Sequence, residues 1–297
     1  MKSGIVILNK ENGITSQGAV NRLKRLFGAD KAGHTGTLDP LATGVLPILI
    51  GRAVKASEFL LFGEKCYSAT LLLGKTTDTE DITGEVLTEC DDIPNEDEVK
   101  AAVASMLGAS KQIPPMYSAI KVGGKKLYDL AREGLVVDRE PRDIFVYSIE
   151  CERLSHREYK IDVECSKGTY IRTLLSDIGK KLGCGGTMAT LTRTRAAKYS
   201  ITEAHTLSEI EAMTPEERES LVIATEDIFD DKRRVDLPPF FARLARCGVE
   251  IYLKKMGLTA EVGELITLWD DGVFFALGEV REFEDGYAIK PIRQFDV

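Results

Sequence analysis

Residues 31–50, KAGHTGTLDPLATGVLPILI, constrain this chain more than any other stretch. Gly33, Gly36 and Gly44 admit backbone conformations closed to other residues. Pro40 removes a backbone donor and biases Asp39 toward extended geometry. The apolar run from Val45 to Ile50 that follows reads as a buried strand. The segment is therefore a stiff polar loop delivered by a core strand, with a single carboxylate, Asp39, on the loop. Asp-Pro alone is a common turn start, so the local pattern leaves both a turn and a catalytic acid open.

The rest of the chain mixes strands and helices without a steady βαβ rhythm. Strands are expected at Ile5–Leu8, Tyr67–Leu73, Asp143–Leu154, Tyr159–Cys165 and Met188–Arg195. A helix capped by Ser16 carries Val20, Leu23 and Phe27 on one face and stops at Gly28. A second helix is expected over Glu96–Leu107. A third, capped by Thr169, carries Ile171, Leu174, Leu175, Ile178 and Leu182 and closes at Gly183. This pattern predicts an α+β fold with a largely antiparallel mixed sheet flanked by helices. The composition shifts near residue 230: LPPF at 237–240 interrupts regular structure. Two Asp-Gly turns, Asp271-Gly272 and Asp285-Gly286, then separate strand-like runs, which predicts a small β-barrel. The expected division is residues 1–230 and 231–297.

No apolar run approaches membrane-span length, and no segment reads as a signal peptide, so a cytoplasmic chain is expected. The six cysteines form no CxxC pair, which argues against a zinc site and for reduced thiols. The net charge is −8, but it is unevenly spread. Residues 76–100 hold ten acids and one base; residues 167–198 hold seven bases (Lys167, Arg172, Lys180, Lys181, Arg193, Arg195, Lys198) and only Asp177 as an acid. With Arg22, Lys24, Arg25 and Lys31, and with Lys121, Lys125 and Lys126, this clustering predicts a phosphate-binding surface.

GHTGTLDPLATGVLP at 33–47 closely resembles the active-site loop of the bacterial tRNA pseudouridine synthases that modify uridine 55 of the TΨC loop, the tRNA pseudouridine synthase B family. LNKENGITS at 8–16, KCYSATLLLGKTTDTEDITGEV at 65–86, PPMYSAIKVGGKKLYDLAREG at 114–134 and CSKGTYIRTLLSDIGKKLG at 165–183 resemble further motifs of that family, in the family's order. The resemblance implies the pseudouridine-synthase fold with a PUA-like C-terminal RNA-binding domain. It also implies conversion of uridine 55 to pseudouridine on a base flipped out of its stack, with no metal or organic cofactor. Asp39 matches the catalytic aspartate and Arg172 its basic partner. Tyr67 matches the tyrosine that stacks on the flipped uracil, and Tyr170 and Leu191 match residues that close the uracil site. His34 matches the residue that fills the space the nucleotide leaves. Lys121, beside Gly123-Gly124, is expected on RNA phosphate. Asn9 and Lys10 lie in the motif that supports the catalytic loop. Glu11 stands where the family often has Pro, and Ala196-Ala197 where a Gly is expected.

The implied partner is the T-arm of tRNA, with no membrane, guide RNA or obligatory protein partner and a monomeric state. Three other readings frame the test: an RNA-folding module without chemistry; a guide-RNA-dependent synthase, disfavoured by the acidic ending IRQFDV and the missing basic tail; and a metal-dependent hydrolase built on His34, Asp39, Asp78 and Asp81.

Overall fold

A computed structural model describes residues 3–60 and 63–295; the last two residues of the IRQFDV ending lie outside that range. The first half supplies strands β1 (Gly4–Lys10), β2 (Ala32–His34), β3 (Thr43–Ile50), β4 (Lys65–Leu73) and β5 (Gly108–Gln112). Helices α1 (Ser16–Leu26), α2 (Glu96–Ala104) and α3 (Leu127–Arg132) accompany them. There follow β6 (Arg142–Arg153), β7 (Glu158–Cys165), α4 (Ile171–Leu182), β8 (Gly186–Ala196) and β9 (Ile223–Ala224). The main sheet runs β9-β1-β3-β8-β4-β7-β6-β5, with β2 on β3 and the short strand Tyr199–Ser200 on β8. Its pairs are antiparallel except one: β8 runs parallel to β3, through Thr192↔Thr43 and Arg193↔Gly44. The expected mixed, largely antiparallel sheet is therefore present.

Strand periodicity sorts the core. Along β1, Val6 and Leu8 face a cluster shared with Val20 and Leu23 of α1 and Leu174, Leu175 and Ile178 of α4. Ile5 and Ile7 face the opposite layer, where they meet Phe229, Phe274 and Phe295. Strand β3 alternates in the same way, Leu46, Ile48 and Ile50 on one side and Val45 and Leu49 on the other. Burial on both faces explains why this segment reads as an unbroken apolar run.

The C-terminal part holds β10 (Arg233–Asp236), α5 (Pro239–Arg246), β11 (Ile251–Tyr252), β12 (Leu265–Asp270), β13 (Val273–Phe283) and β14 (Gly286–Gln294). They form a five-stranded sheet in the order β10-β12-β13-β14-β11. Helix α5 covers it over a core of Ala242, Ala245, Phe275 and Ile289.

Several local expectations are corrected. Thr15, not Ser16, caps α1 by accepting from the Gly18 N–H; Ser16 is buried and has another use, described below. Thr169 does not cap α4; its hydroxyl donates to the Ser166 carbonyl, and Tyr170 stands at the cap position without a side-chain cap bond. Helix α2 ends at Ala104 rather than Leu107, after a capping box between Asn95 and Glu98. LPPF starts α5 instead of breaking structure, because proline at the first helical turn has no hydrogen bond to lose. Asp271 (φ 49) and Gly272 (φ 75) make the tight β12–β13 turn. The β13–β14 turn is centred one residue earlier than expected, with Phe283 opposite Gly286. Among the described residues no helix is long and apolar enough to cross a membrane.

Candidate active site

The loop between β2 and β3 is held from several sides. Ser16 Oγ donates to the Leu38 carbonyl at 2.8 Å and accepts from the Leu38 N–H at 2.8 Å. Lys10 is fully buried, and its ammonium donates to the carbonyls of Glu11 (3.0 Å), Ile14 (2.8 Å) and Pro40 (3.3 Å). Glu11 therefore contributes its main chain here, a contact that does not depend on its side chain. Burial lowers the Lys10 pKa to about 8, against the opposing pull of the Asp39 carboxylate. Ala42 N–H closes a turn on the Asp39 carbonyl.

Arg193 supplies a third anchor. It is 1% exposed; its Nε donates to the Val45 carbonyl at 2.7 Å and its Nη2 to the Gly36 carbonyl at 3.0 Å. The same strand crosses Gly44 so closely that a Cβ there would sit 2.2 Å from the Arg193 carbonyl oxygen, and Gly44 has φ +100. Both reasons demand glycine at this position.

These anchors aim Asp39 into a cavity of about 250 Å³, near the lower end of the roughly 300–1,000 Å³ typical of small-ligand pockets. Arg172, from the start of α4, is 5% exposed and sets its Nε 2.9 Å from Asp39 Oδ2. Its Nη1 donates to the Thr79 carbonyl (2.9 Å) and lies 3.7 Å from Asp81 Oδ2, and its Nη2 donates to the Tyr117 carbonyl (2.7 Å). Burial pushes the Asp39 carboxyl above its ordinary value and the neighbouring Asp81 adds to this; Arg172 is the largest force holding it ionised.

Tyr67 on β4, Tyr170 before α4 and Leu191 on β8 line the same cavity. Tyr67 stands directly across the strands from Arg193. Burial raises the Tyr67 phenol, while Arg193 works the other way. Lys65, also on the wall, is lowered by burial to about 8.

The cavity thus joins five of the seven expected residues: Asp39, Tyr67, Tyr170, Arg172 and Leu191. His34 lines an adjoining groove that shares Asp39 and Arg172 with the cavity. Its Nδ1 is buried with no hydrogen-bond partner among the described residues, and burial lowers its pKa. Lys121 lies on an exposed hairpin outside both; Lys126, with Tyr128 and Arg132, lines the groove instead.

The basic run at 167–198 is not one exposed surface. Arg172 and Arg193 are buried, and Arg195 pairs with Glu164, Lys180 with Asp177 and Lys198 with Asp230. Among the described residues no three His, Cys, Asp or Glu side chains are placed to hold a metal ion, so His34, Asp39, Asp78 and Asp81 do not form the cluster a hydrolase would need. Sequence reading misses the structural roles of Ser16 and Arg193, whose contacts are to main-chain groups distant in sequence.

Residues 24–171 match a family model described as TruB family pseudouridylate synthase (N terminal domain). Residues 172–228 match one described as tRNA pseudouridylate synthase B C-terminal domain. A protein of Methylobacillus flagellatus named tRNA pseudouridine synthase B is 41% identical over 277 residues, 93% of this chain and 90% of that protein. A protein of the same name from Alkaliphilus oremlandii is also 41% identical, over 94% of this chain and 93% of its own length. Among solved structures, a chain of a Cbf5-Nop10-Gar1 complex superposes with a TM-score of 0.69 at 24% identity, over 98% of this chain and 84% of that one. A chain of an H/ACA RNP bound to a substrate RNA containing 2'-deoxyuridine gives 0.71 at 22% identity, over 99% and 85%. The two structural likenesses establish a shared fold.

Proposed function

The chain belongs to the TruB family of pseudouridylate synthases, and from that membership we propose that it isomerises uridine 55 in the TΨC loop of tRNA to pseudouridine. The observation that carries this reading is the Asp39–Arg172 contact of 2.9 Å on the wall of a base-sized cavity lined by Tyr67, Tyr170 and Leu191.

The reaction breaks the bond between N1 of uracil and C1′ of ribose, turns the base and joins C5 to C1′; the C5 proton leaves and N1 gains one, so nothing is consumed. A flipped base entering the cavity would meet Tyr67 and Leu191, which come from adjacent strands. Asp39 is the proposed catalytic carboxylate. It acts as nucleophile at C1′ or as the base in an elimination route, and either role requires it ionised, the form Arg172 favours. Arg172 in turn spends its other donors on the Thr79 and Tyr117 carbonyls, which fixes its position. His34 and Lys126, on the adjoining groove, would meet the rest of the RNA loop, and Lys121 phosphate further out. Residues 231–297 are proposed as the PUA-like appendage that docks the tRNA, with the chain acting as a monomer without guide RNA. The 41% identity to proteins named tRNA pseudouridine synthase B favours that assignment.

The test is to incubate the protein with an unmodified tRNA transcript and map pseudouridine by carbodiimide treatment and primer extension, with Asp39→Asn alongside. A stop at uridine 55 that the variant lacks, with tRNA binding retained, is expected. Equal stops from both proteins, or none from the wild type despite tight binding, would overturn the assignment.

A further inference from the structure

Gln112 ends strand β5, is 3% exposed, and belongs to none of the residues considered above as reacting groups. Its amide closes a two-way contact with one residue 58 positions away: Nε2 donates to the Tyr170 carbonyl at 3.0 Å, and Oε1 accepts from the Tyr170 N–H at 2.8 Å. Tyr170 stands at the cap position of α4 and has no side-chain cap bond of its own. Gln112 therefore does from a distant strand what the Glu or Gln of a capping box does locally, accepting from the N–H of the cap residue. Ser16 makes the same two-way contact with the Leu38 main chain, on the other side of the site. Each clamp grips the backbone next to a reacting group: Leu38 precedes Asp39, and Tyr170 stands two residues before Arg172.

The clamp has a second arm. The chain leaves Gln112 and reaches Tyr117 five residues on, and the Tyr117 carbonyl receives Arg172 Nη2 at 2.7 Å. One side chain thus ties the base of the helix carrying Arg172 to the segment that receives its guanidinium.

We propose that Gln112 is a positioning residue of this site, fixing the Tyr170 main chain so that the Tyr170 ring closes the cavity and Arg172 reaches Asp39. The inference rests on the functional reading above and deepens it. An amide is the suitable group, because the contact needs one donor and one acceptor side by side. A carboxylate keeps the acceptor alone, and a thioether of similar length keeps the packing and neither bond.

Gln112→Met and Gln112→Glu test this in the full-length protein. Single-turnover conversion of an unmodified tRNA transcript should fall about 10–100-fold in Gln112→Met, the scale of a small misplacement of reacting groups. Gln112→Glu should fall between Gln112→Met and wild type. Transcript affinity should stay within about twofold, since the clamp does not face the groove that adjoins the cavity. A reading independent of turnover is the carboxyl titration of Asp39 by 13C NMR. The charged groups acting on that carboxyl are Arg172, Asp81 and Lys10; loosening Arg172 should move the titration upward in Gln112→Met and leave Asp81 and Lys10 in place. A Gln112→Met rate within about twofold of wild type would overturn the proposal. So would equal losses in rate and affinity, or an unmoved Asp39 titration. If Gln112→Met does not fold, Gln112→Glu decides by the same criteria. If the wild type modifies no tRNA, the functional reading fails, and the Asp39 titration alone decides whether Gln112 positions the pair.

Discussion

Replacing Arg172 by Met removes the cation that connects four groups at once. The Thr79 and Tyr117 carbonyls, now at 2.9 and 2.7 Å from the guanidinium, lose their donor. An orphaned buried polar group costs about 1–3 kcal/mol. Asp39 and Asp81 lose the positive charge at 2.9 and 3.7 Å; breaking a buried pair from one side costs about 3–5 kcal/mol, a figure that applies to Asp81, whereas the Asp39 side chain is 36% exposed and solvent screens its share. These losses overlap because the contacts share one side chain, so a total near 3–5 kcal/mol is expected. This is survivable for a domain of ordinary stability, about 5–15 kcal/mol. The sign with pH follows from Asp39. Its pKa is already raised in the folded state, so the ionised carboxylate opposes folding, and stability falls as pH rises through the folded pKa. Arg172 is the chief counterweight. The gap between wild type and Arg172→Met should therefore widen as pH rises past that point and narrow in acid, where a neutral carboxyl needs no cation. Urea unfolding at a series of pH values measures the gap. Single-turnover rates should show an acid limb above 3.8, the ordinary Asp value, displaced further upward in the variant. A stability loss under about 1 kcal/mol, or a gap that widens in acid, would refute the reasoning.

Three further outcomes are expected. Gly44→Ala adds a methyl 2.2 Å from the Arg193 carbonyl oxygen at φ +100; strain and overpacking together should cost about 2–6 kcal/mol, read as a lower urea midpoint at unchanged m. Tyr199→Phe removes a buried hydroxyl that has no hydrogen-bond partner among the described residues and should be neutral or stabilising by about 1 kcal/mol, read as an unchanged or higher thermal midpoint. Ala197 holds φ +52, and Ala197→Gly should gain about 0.5 kcal/mol, because glycine sheds the left-handed penalty but loses more chain entropy; a drop in midpoint would contradict that.

The cavity-lining residues were legible through the resemblance, most of them inside its motifs. Asp39, Tyr67, Tyr170, Arg172 and Leu191 come from four segments, and the sheet brings all five to one cavity. Six strands of the main sheet were legible from their apolar pattern, β3 among them as a buried run, while the short β2, β5 and β9 were not. What stayed hidden depends on partners far along the chain. A run of bases says nothing about which side chains turn inward: Arg193 was counted only among the surface charges, and Arg172 was set apart from them by the resemblance alone. Ser16 and Thr15 are both competent caps, and only the Leu38 main chain, 22 residues on, draws Ser16 away. Gln112 has no local signature at all, since its two contacts are with the N–H and the carbonyl of a single residue on another element.

The parallel contact between β3 and β8 has a consequence in time. Two residue pairs join the halves of the main sheet there, and Thr43 and Thr192, which also share a 2.8 Å hydroxyl contact, are 149 residues apart. Asp39 lies just before one side of this seam and Leu191 just before the other. Loop closure over such a span is costly until both halves are already formed. During synthesis the segments bearing Asp39 and Tyr67 emerge long before the strand that gathers them. The cavity therefore cannot be completed before β8 has been made, and a chain stalled before residue 191 has a carboxylate but lacks the Leu191 and Arg193 wall.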